Sequence, residues 1–403
     1  MKYIILIGDG MADNDMAELG GKTPLDVAKT PNMDLLAGSG RYGLFRTVPP
    51  GFSPGSDVAN LSVMGYDPRK YYTGRAPLEA ASIGVKLGPT DIAFRCNLVT
   101  LVEKDNETIM GDYSSGHITT EDAREIVLSL DEALKSEGVR FYPGTSYRHL
   151  MVWKDGAKDL KTTPPHDISD RPIAPWLPKG DRADKLTRLM ELSRAVMKDH
   201  PTNRKRVAAG KKPATSIWLW GQGSAPAMPA LRERFGMEGA IISAVDLMKG
   251  IGLYAGLEVI NVPGATGYID TNYKGKAEAA LKALESKDFV CVHVEAPDEA
   301  GHNGNLKDKL KAIEDFDERI VGPVVKGAVK FGDIAVLVLP DHPTPVAIKT
   351  HTSDPVPFVL YRSGAEGKPS KFSEKGARAT GVLVEDCQAL AEEFFGKAEK
   401  ARA

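Results

Sequence analysis

FVCVHVEAPDEAGH, residues 289–302, decides how the chain is read. Phe289–Val294 is a short apolar, β-branched run, and it passes directly into Glu295-Ala296-Pro297-Asp298 and then His302. A run of this length suits a strand at the centre of a parallel sheet, buried on both faces. Two further runs end in the same way. Tyr3–Ile7 runs into Gly8-Asp9-Gly10, and Ile334–Leu339 runs into Pro340-Asp341-His342. Helical stretches lie between them: Ala277–Leu284 precedes Phe289, and Lys307–Lys330, interrupted by Gly322-Pro323, separates the second strand from the third. Strands alternating with helices predict an α/β architecture with a mainly parallel sheet.

The middle of the chain differs in texture. Thr119–Leu134 opens on a Thr-Thr-Glu-Asp cap and has helical periodicity, and Val139–Trp153, broken by Pro143-Gly144, reads as a hairpin. Lys161–Pro178 is loop, Asp181–Asp199 a long polar helix, Asn203–Lys212 a basic stretch and Ser216–Trp220 a strand. Residues 77–238 are therefore expected to form an α+β domain inserted into a core made of 1–76 and 239–403. Glu385–Lys400 reads as a closing helix with a frayed polar end.

Composition excludes several classes. Lys and Arg total 52 against 54 Asp and Glu, which gives a formal charge of -2 and no basic excess for a nucleic acid or a membrane surface. Cys96, Cys291 and Cys387 are too few and too scattered for a disulfide frame or a zinc knuckle. The first apolar run is too short for a signal sequence or a membrane span, so a cytoplasmic location is expected.

The chemistry is read from the strand ends. In an open parallel sheet, ligands bind beyond the carboxyl ends of the strands, so Asp9, Asp298 and Asp341 are expected to converge. One Asp after a strand is usually a cap or turn residue; three, with histidines attached, point to a metal site. Asp298 and His302, at i and i+4, share a face if their segment is helical. His342 adjoins Asp341, and His351 follows in a loop. Ser56, in Phe52-Ser-Pro-Gly-Ser56-Asp57, sits where a Pro/Gly-rich approach meets the helical period of Asp57–Met64. A helix N-terminus favours a phosphoryl group, although a plain serine N-cap is the commoner role. A serine hydroxyl needs activation, and a coordinated cation supplies it. Carboxylates with imidazoles suit Mn or Zn, with Mg or Co as further options, and no organic cofactor is indicated.

In order and type, Gly8-Asp9-Gly10, Gly55-Ser56-Asp57, Asp298-x-x-x-His302, Asp341-His342 and His351 resemble the metalloenzymes of the alkaline phosphatase superfamily. More narrowly, the chain resembles the archaeal-type cofactor-independent phosphoglycerate mutases, through Thr30–Asp34, Tyr72–Glu79, His166–Ile168, Trp218–Gly223 and Ala296–His302. The resemblance implies an alkaline-phosphatase-like three-layer core with a cap that holds substrate over Ser56. It implies one cation on Asp298, His302 and His351, and another on Asp9, Asp341, His342 and the Ser56 oxygen. It also implies interconversion of 3-phosphoglycerate and 2-phosphoglycerate through phosphoserine. A phosphatase or phosphonate hydrolase and a homoserine-kinase-like phosphotransferase are the enzymatic alternatives, and a non-catalytic binding protein is the third.

An anionic substrate needs cations. Arg75, where core hands over to cap, and His117, His166, Asp167, Arg148 and Arg171 in the cap are the candidate substrate contacts, with Arg204 as a further arginine. The longer bacterial enzymes use an Arg-x-x-Arg pair, and the stretch matching it here, Trp218–Gly223, carries no arginine. Trp218 and Trp220 are expected to be cap core, and His293 to be packing with a role behind the metal ligands.

Overall fold

In the computed structural model, which describes residues 1–396, the chain divides into two compact units. Met1–Tyr72 joins the chain from Ala227 onward, and Thr73–Pro226 forms the other unit. Residues 227–238 belong with the first unit. Tyr66 donates its hydroxyl to the Pro229 carbonyl at 2.8 Å, and Arg234 lies 4.7 Å over the Tyr66 ring.

The first unit is built on an eight-stranded sheet. Lys2–Gly8 lies between Phe289–Val294 and Ile334–Leu339, parallel to both, with Ile4 opposite Val290 and Val336. Gly239–Ile242 continues the parallel run beyond Phe289–Val294. Val356–Arg362 is antiparallel to both its neighbours, Ile334–Leu339 and Arg41–Phe45. Ile4, Leu6, Val290, Val292, Val336 and Val338 pack on one face with residues from Tyr273–Ala283, Leu306–Phe316 and Gly322–Ala328. Ile5, Ile7, Cys291 and Leu337 alternate with them and are also buried. Burial of both sets explains why the three sequence runs show no polar alternation.

The helical segment 306–331 differs from expectation. It is not interrupted at Gly322-Pro323; a π-turn over Asp317–Val321 joins Leu306–Phe316 to Gly322–Ala328, with the proline in the first turn of the following helix. Proline brings no N–H to the helical ladder, and the π-turn lies directly before it. The closing helix covers Cys387–Phe394, and the polar end expected after it lies outside the described residues.

The second unit centres on Ile92–Lys104, which pairs antiparallel with Glu107–Asp112, Arg148–Trp153 and Ser216–Ser224. Val139–Tyr142 and Arg148–Trp153 form the expected hairpin. Thr120–Leu134 starts on the Thr119 cap, whose side chain accepts from Asp122 N–H, and it packs with Ala183–Lys198 over Phe94, Trp153 and Trp218. Among the described residues, no helix is long and apolar enough to cross a membrane.

Candidate functional site

The three strand ends of the first unit come together. Asp9 follows the central strand, and Gly10 turns the chain at φ +62°, where a Cβ would lie 2.6 Å from Thr344 Oγ1 and 2.7 Å from Asp298 Cα. Only glycine fits that turn. The N–H of Gly10 donates to Asp341 Oδ1 at 3.1 Å, which ties the first strand end to the third.

Ala296–His302 is helical, so Asp298 and His302 share a face as their spacing predicts. Asp298 Oδ2 lies 3.3 Å from His302 Nε2, and Asp298 Oδ1 lies 3.4 Å from His351 Nε2. The two Nε2 atoms are 2.9 Å apart. His302 Nδ1 meets the Lys349 carbonyl at 3.0 Å; an oxygen there can only accept, so Nδ1 carries a proton, and Nε2, the nitrogen facing Asp298, is the one that a cation would take in place of its proton. Burial alone would raise the Asp298 pKa, but hydrogen bonds from His302 and His351 hold it well below the usual carboxylate range. The Asp298 hydrogen bond, offset in part by burial, raises His302 to about 9.

Asp9, Asp341 and His342 form the neighbouring group, all fully buried. His342 Nε2 is 3.3 Å from Asp341 Oδ2 and 3.7 Å from Asp9 Oδ1. It also groups with Asp298 and His351, so it stands between the two sets. Burial, reinforced by the charges of Asp341, Asp298 and Glu295, pushes the Asp9 carboxyl well above its ordinary value. Asp9 Oδ1 has no hydrogen-bond partner among the described residues. Crowded buried carboxylates, an orphaned oxygen and imidazole nitrogens facing one another are the arrangement that divalent cations resolve. The donor set fits two such ions.

Ser56 opens the helix Ser56–Val63, but the N-cap position is Gly55 and no side chain caps the turn. The serine hydroxyl is therefore not spent on the helix, and Ser56 Oγ stands 3.1 Å from His342 Nε2. Asn60, one turn on, was not legible as a site residue. Its amide donates to the Ser56 carbonyl at 2.9 Å and to Asp341 Oδ2 at 2.8 Å, coupling the serine turn to the third strand end. The i, i+4 step from Ser56 was its only signal in the sequence.

The second unit carries its own charged cluster. Glu79 accepts from Arg75 Nε and Arg95 Nε, each at 2.9 Å. The Arg95 guanidinium lies 4.2 Å over the Trp220 ring, and the His166 ring meets Trp220 edge-on with centroids 5.4 Å apart. Tyr113 links His166 to Tyr147, which contacts both His117 and Arg148. Burial, with repulsion from Arg75 and Arg148 against attraction from Glu79, brings Arg95 down to about 10. Burial opposes ionisation of Glu79, but Arg95, Arg75 and Arg148 hold its pKa below the ordinary value. Arg75, Arg148, His117 and His166 thus fall in one neighbourhood, with Asp167 3.6 Å from His166. Arg171 meets the unit through its carbonyl, which accepts from Met110 N–H at 3.0 Å, and is not tied to this cluster. Arg204 lies exposed on the helix Pro201–Ala208, also apart from it. Arg95 was missed because an arginine on a strand ordinarily reads as surface.

Residues 37–203 match the family model for 2,3-bisphosphoglycerate-independent phosphoglycerate mutase. A probable enzyme of that name from Geobacter sulfurreducens is 57% identical over 388 residues, covering 96% of this chain and 97% of its own length. The enzyme of that name from Methanothrix thermoacetophila is 58% identical over 365 residues, covering 90% and 91%. Among solved structures, a protein from Pyrococcus horikoshii superposes with a TM-score of 0.82 at 28% identity, covering 98% of this chain and 97% of that one. A cofactor-independent phosphoglycerate mutase from Thermoplasma acidophilum gives 0.68 at 28% identity, covering 99% and 100%. With identity this high along nearly the whole chain, the protein belongs to the 2,3-bisphosphoglycerate-independent phosphoglycerate mutase family.

Proposed function

We propose that this chain interconverts 3-phosphoglycerate and 2-phosphoglycerate through a phosphoserine on Ser56, without added bisphosphoglycerate. The observation that carries the reading is the uncapped Ser56 hydroxyl, 3.1 Å from His342 Nε2 beside the buried carboxylate cluster. In the first half-reaction the Ser56 oxygen forms a bond to phosphorus as the bond to the C3 oxygen breaks. The proton lost by Ser56 balances the one gained by glycerate. In the second, the 2-hydroxyl of glycerate takes the phosphoryl group and Ser56 Oγ regains a proton.

Asp298, His302 and His351 hold one divalent cation in this reading, and Asp9, Asp341, His342 and Ser56 hold the other. When bound, such ions polarise phosphoryl oxygens and neutralise developing charge. The protein's own part is positioning. Asn60 fixes the serine turn against Asp341, and the Lys349 carbonyl fixes the His302 tautomer. In the second unit, Arg75, Arg95 and Arg148 all act on Glu79, so three guanidiniums are gathered where an anionic substrate would be recognised. Fully buried Cys96 and Cys291 thiols, free of disulfides, fit a reducing cytoplasm.

The test is enolase-coupled turnover of 3-phosphoglycerate without bisphosphoglycerate, beside a free-phosphate assay. Formation of 2-phosphoglycerate is expected, and phosphate release without it would move the assignment to a hydrolase.

A further inference from the structure

The second unit holds a cavity of about 460 Å³ whose walls include no member of the Glu79 cluster. One wall is the helix Ala183–Lys198. Thr187, Met190, Glu191 and Arg194 stand at i, i+3, i+4 and i+7, so a single face of that helix lines the space. Another wall is the stretch 172–177, which is stitched to the strand Glu107–Asp112. Met110 N–H donates to the Arg171 carbonyl at 3.0 Å, Asp170 N–H to the Met110 carbonyl at 2.9 Å and Ile173 N–H to the Thr108 carbonyl at 2.9 Å. Backbone hydrogen bonds therefore set this wall, and the cavity exists without an occupant. Its volume falls within the range of about 300–1,000 Å³ usual for small-molecule sites.

The lining changes character with depth. Met190 and Trp218 are buried, and Leu101, Ile173 and Leu177 are half-buried, which makes an apolar floor. Glu107, Glu191 and Arg194 are exposed and form a charged mouth. Among the described residues, neither Glu107 nor Glu191 has an ion-pair partner. Arg194 reaches Glu103 through Nη2 at 2.7 Å, in an exposed bridge that leaves its other guanidinium N–H groups unclaimed. A ligand that satisfies this mouth carries both signs of charge. A plain amine would leave the guanidinium idle, and a plain carboxylate would leave both glutamates idle. The floor asks for an apolar body between the two charges and the buried Trp218.

We propose that this cavity binds an apolar α-amino acid, with its ammonium at Glu107 and Glu191, its carboxylate at Arg194 and its side chain on the floor of Met190 and Trp218. The floor also gives the site a reach beyond itself. Trp218 Nε1 donates to the Thr163 carbonyl at 2.8 Å, three positions before His166, whose ring meets Trp220. An occupant in contact with Trp218 thus bears on the loop that carries His166. The inference concerns the second unit alone and does not depend on which phosphoryl compound is the substrate.

The test is isothermal titration calorimetry of the full chain with L-phenylalanine, L-leucine and L-methionine, each beside its decarboxylated amine and its deaminated acid. At least one amino acid should saturate the chain with Kd below about 1 mM, and both of its analogues should bind about tenfold more weakly or worse. Glu191→Gln and Arg194→Gln change exposed side chains and should each weaken that binding about tenfold. Absence of saturable binding by all three up to about 10 mM overturns the proposal. So does an amine or acid that binds as tightly as its parent, or an affinity unchanged in either variant.

Discussion

Replacing Lys309 by methionine should loosen the ends of the first and third parallel strands together. Lys309 is fully buried on the helix Leu306–Phe316. Its ammonium donates to Asp13 Oδ2 at 2.8 Å, to the Thr344 carbonyl at 2.7 Å and to the Ala12 carbonyl at 3.2 Å. One side chain thus joins the loop after Asp9 to the loop after His342. Methionine fills nearly the same volume, so the cost is electrostatic. Removing one partner of a buried ion pair costs about 3–5 kcal/mol, and an orphaned carbonyl about 1–3. Asp13 is partly cushioned, since Val346 N–H still reaches Oδ2 at 3.0 Å and Asn14 N–H reaches Oδ1 at 2.8 Å. Ala12 O keeps the Thr344 N–H at 3.1 Å, but Thr344 O loses its ammonium partner. The net expectation is roughly 4 kcal/mol. All four tryptophans, at 153, 176, 218 and 220, lie in Thr73–Pro226, so tryptophan fluorescence does not read the affected unit directly. Hydrogen exchange of peptides covering 2–13 and 334–346 does, with chelator present so that metal binding does not mask the change. Exchange through opening should speed up about a thousandfold, and Lys309→Met/Asp13→Asn should recover about half of the loss in free energy. A change below about 1 kcal/mol in the single variant would refute the reasoning.

Ser56→Ala should abolish turnover while metal content and melting temperature stay close to wild type, because Ser56 Oγ caps nothing; measurable phosphoryl transfer would remove Ser56 as the acceptor. Chelation should inactivate the enzyme and Mn2+ restore it, and full activity in a demonstrably metal-free sample would sink the two-cation reading. Arg148→Gln should raise KM for 3-phosphoglycerate about tenfold with a smaller effect on kcat, checked by the coupled assay, because it removes one of three guanidiniums around Glu79. Burial raises Glu374 from an ordinary 4.5 to about 7, against hydrogen bonds from Thr23 and the Asp13 N–H. The folded state then holds more protons than the unfolded chain between those values, so stability falls as pH rises through that window. Relative to Glu374→Gln, wild type should lose up to about 3 kcal/mol between pH 4.5 and 7. Parallel denaturation curves for the two proteins across that range would contradict the assignment.

What the sequence disclosed was whatever local periodicity carries. Asp9, Asp298 and Asp341 were legible because each closes an apolar run, and His302 because it stands one helical turn from Asp298. Ser56 was legible as the start of a helix but not as a free hydroxyl. Gly-Ser-Asp reads first as a serine cap, and the structure instead gives the N-cap position to Gly55. Lys309, Asn60 and Glu374 were hidden for a common reason. Each is a buried polar residue on a helix, and its tertiary partner is fixed by packing and not by spacing. Asp341 is 281 positions from Asn60, and Asp13 is 296 from Lys309. A lysine on an amphipathic helix reads as solvent-facing unless its partner is known.

His293 lies between these cases, and it shows how much a single register can supply. Once Ile7 is set opposite His293 and Gly8 opposite Val294, the two-residue period of the sheet puts Asp9 on the face of Ile7, and Glu295 on the face of His293. The two carboxylates then stand side by side one step past the last paired residues, with the imidazole one pleat behind. A shift of one residue in that pairing would turn the central strand's set to the opposite face and dissolve the contacts of Asp9 with His293 and with His342. The apolar runs specify the register because both faces are buried, so the hydrophobic core and the ligand geometry answer to the same constraint. For that reason the alternating His293 and Glu295, inside a run that otherwise has no polar alternation, were the sequence's own sign of a partner on the neighbouring strand.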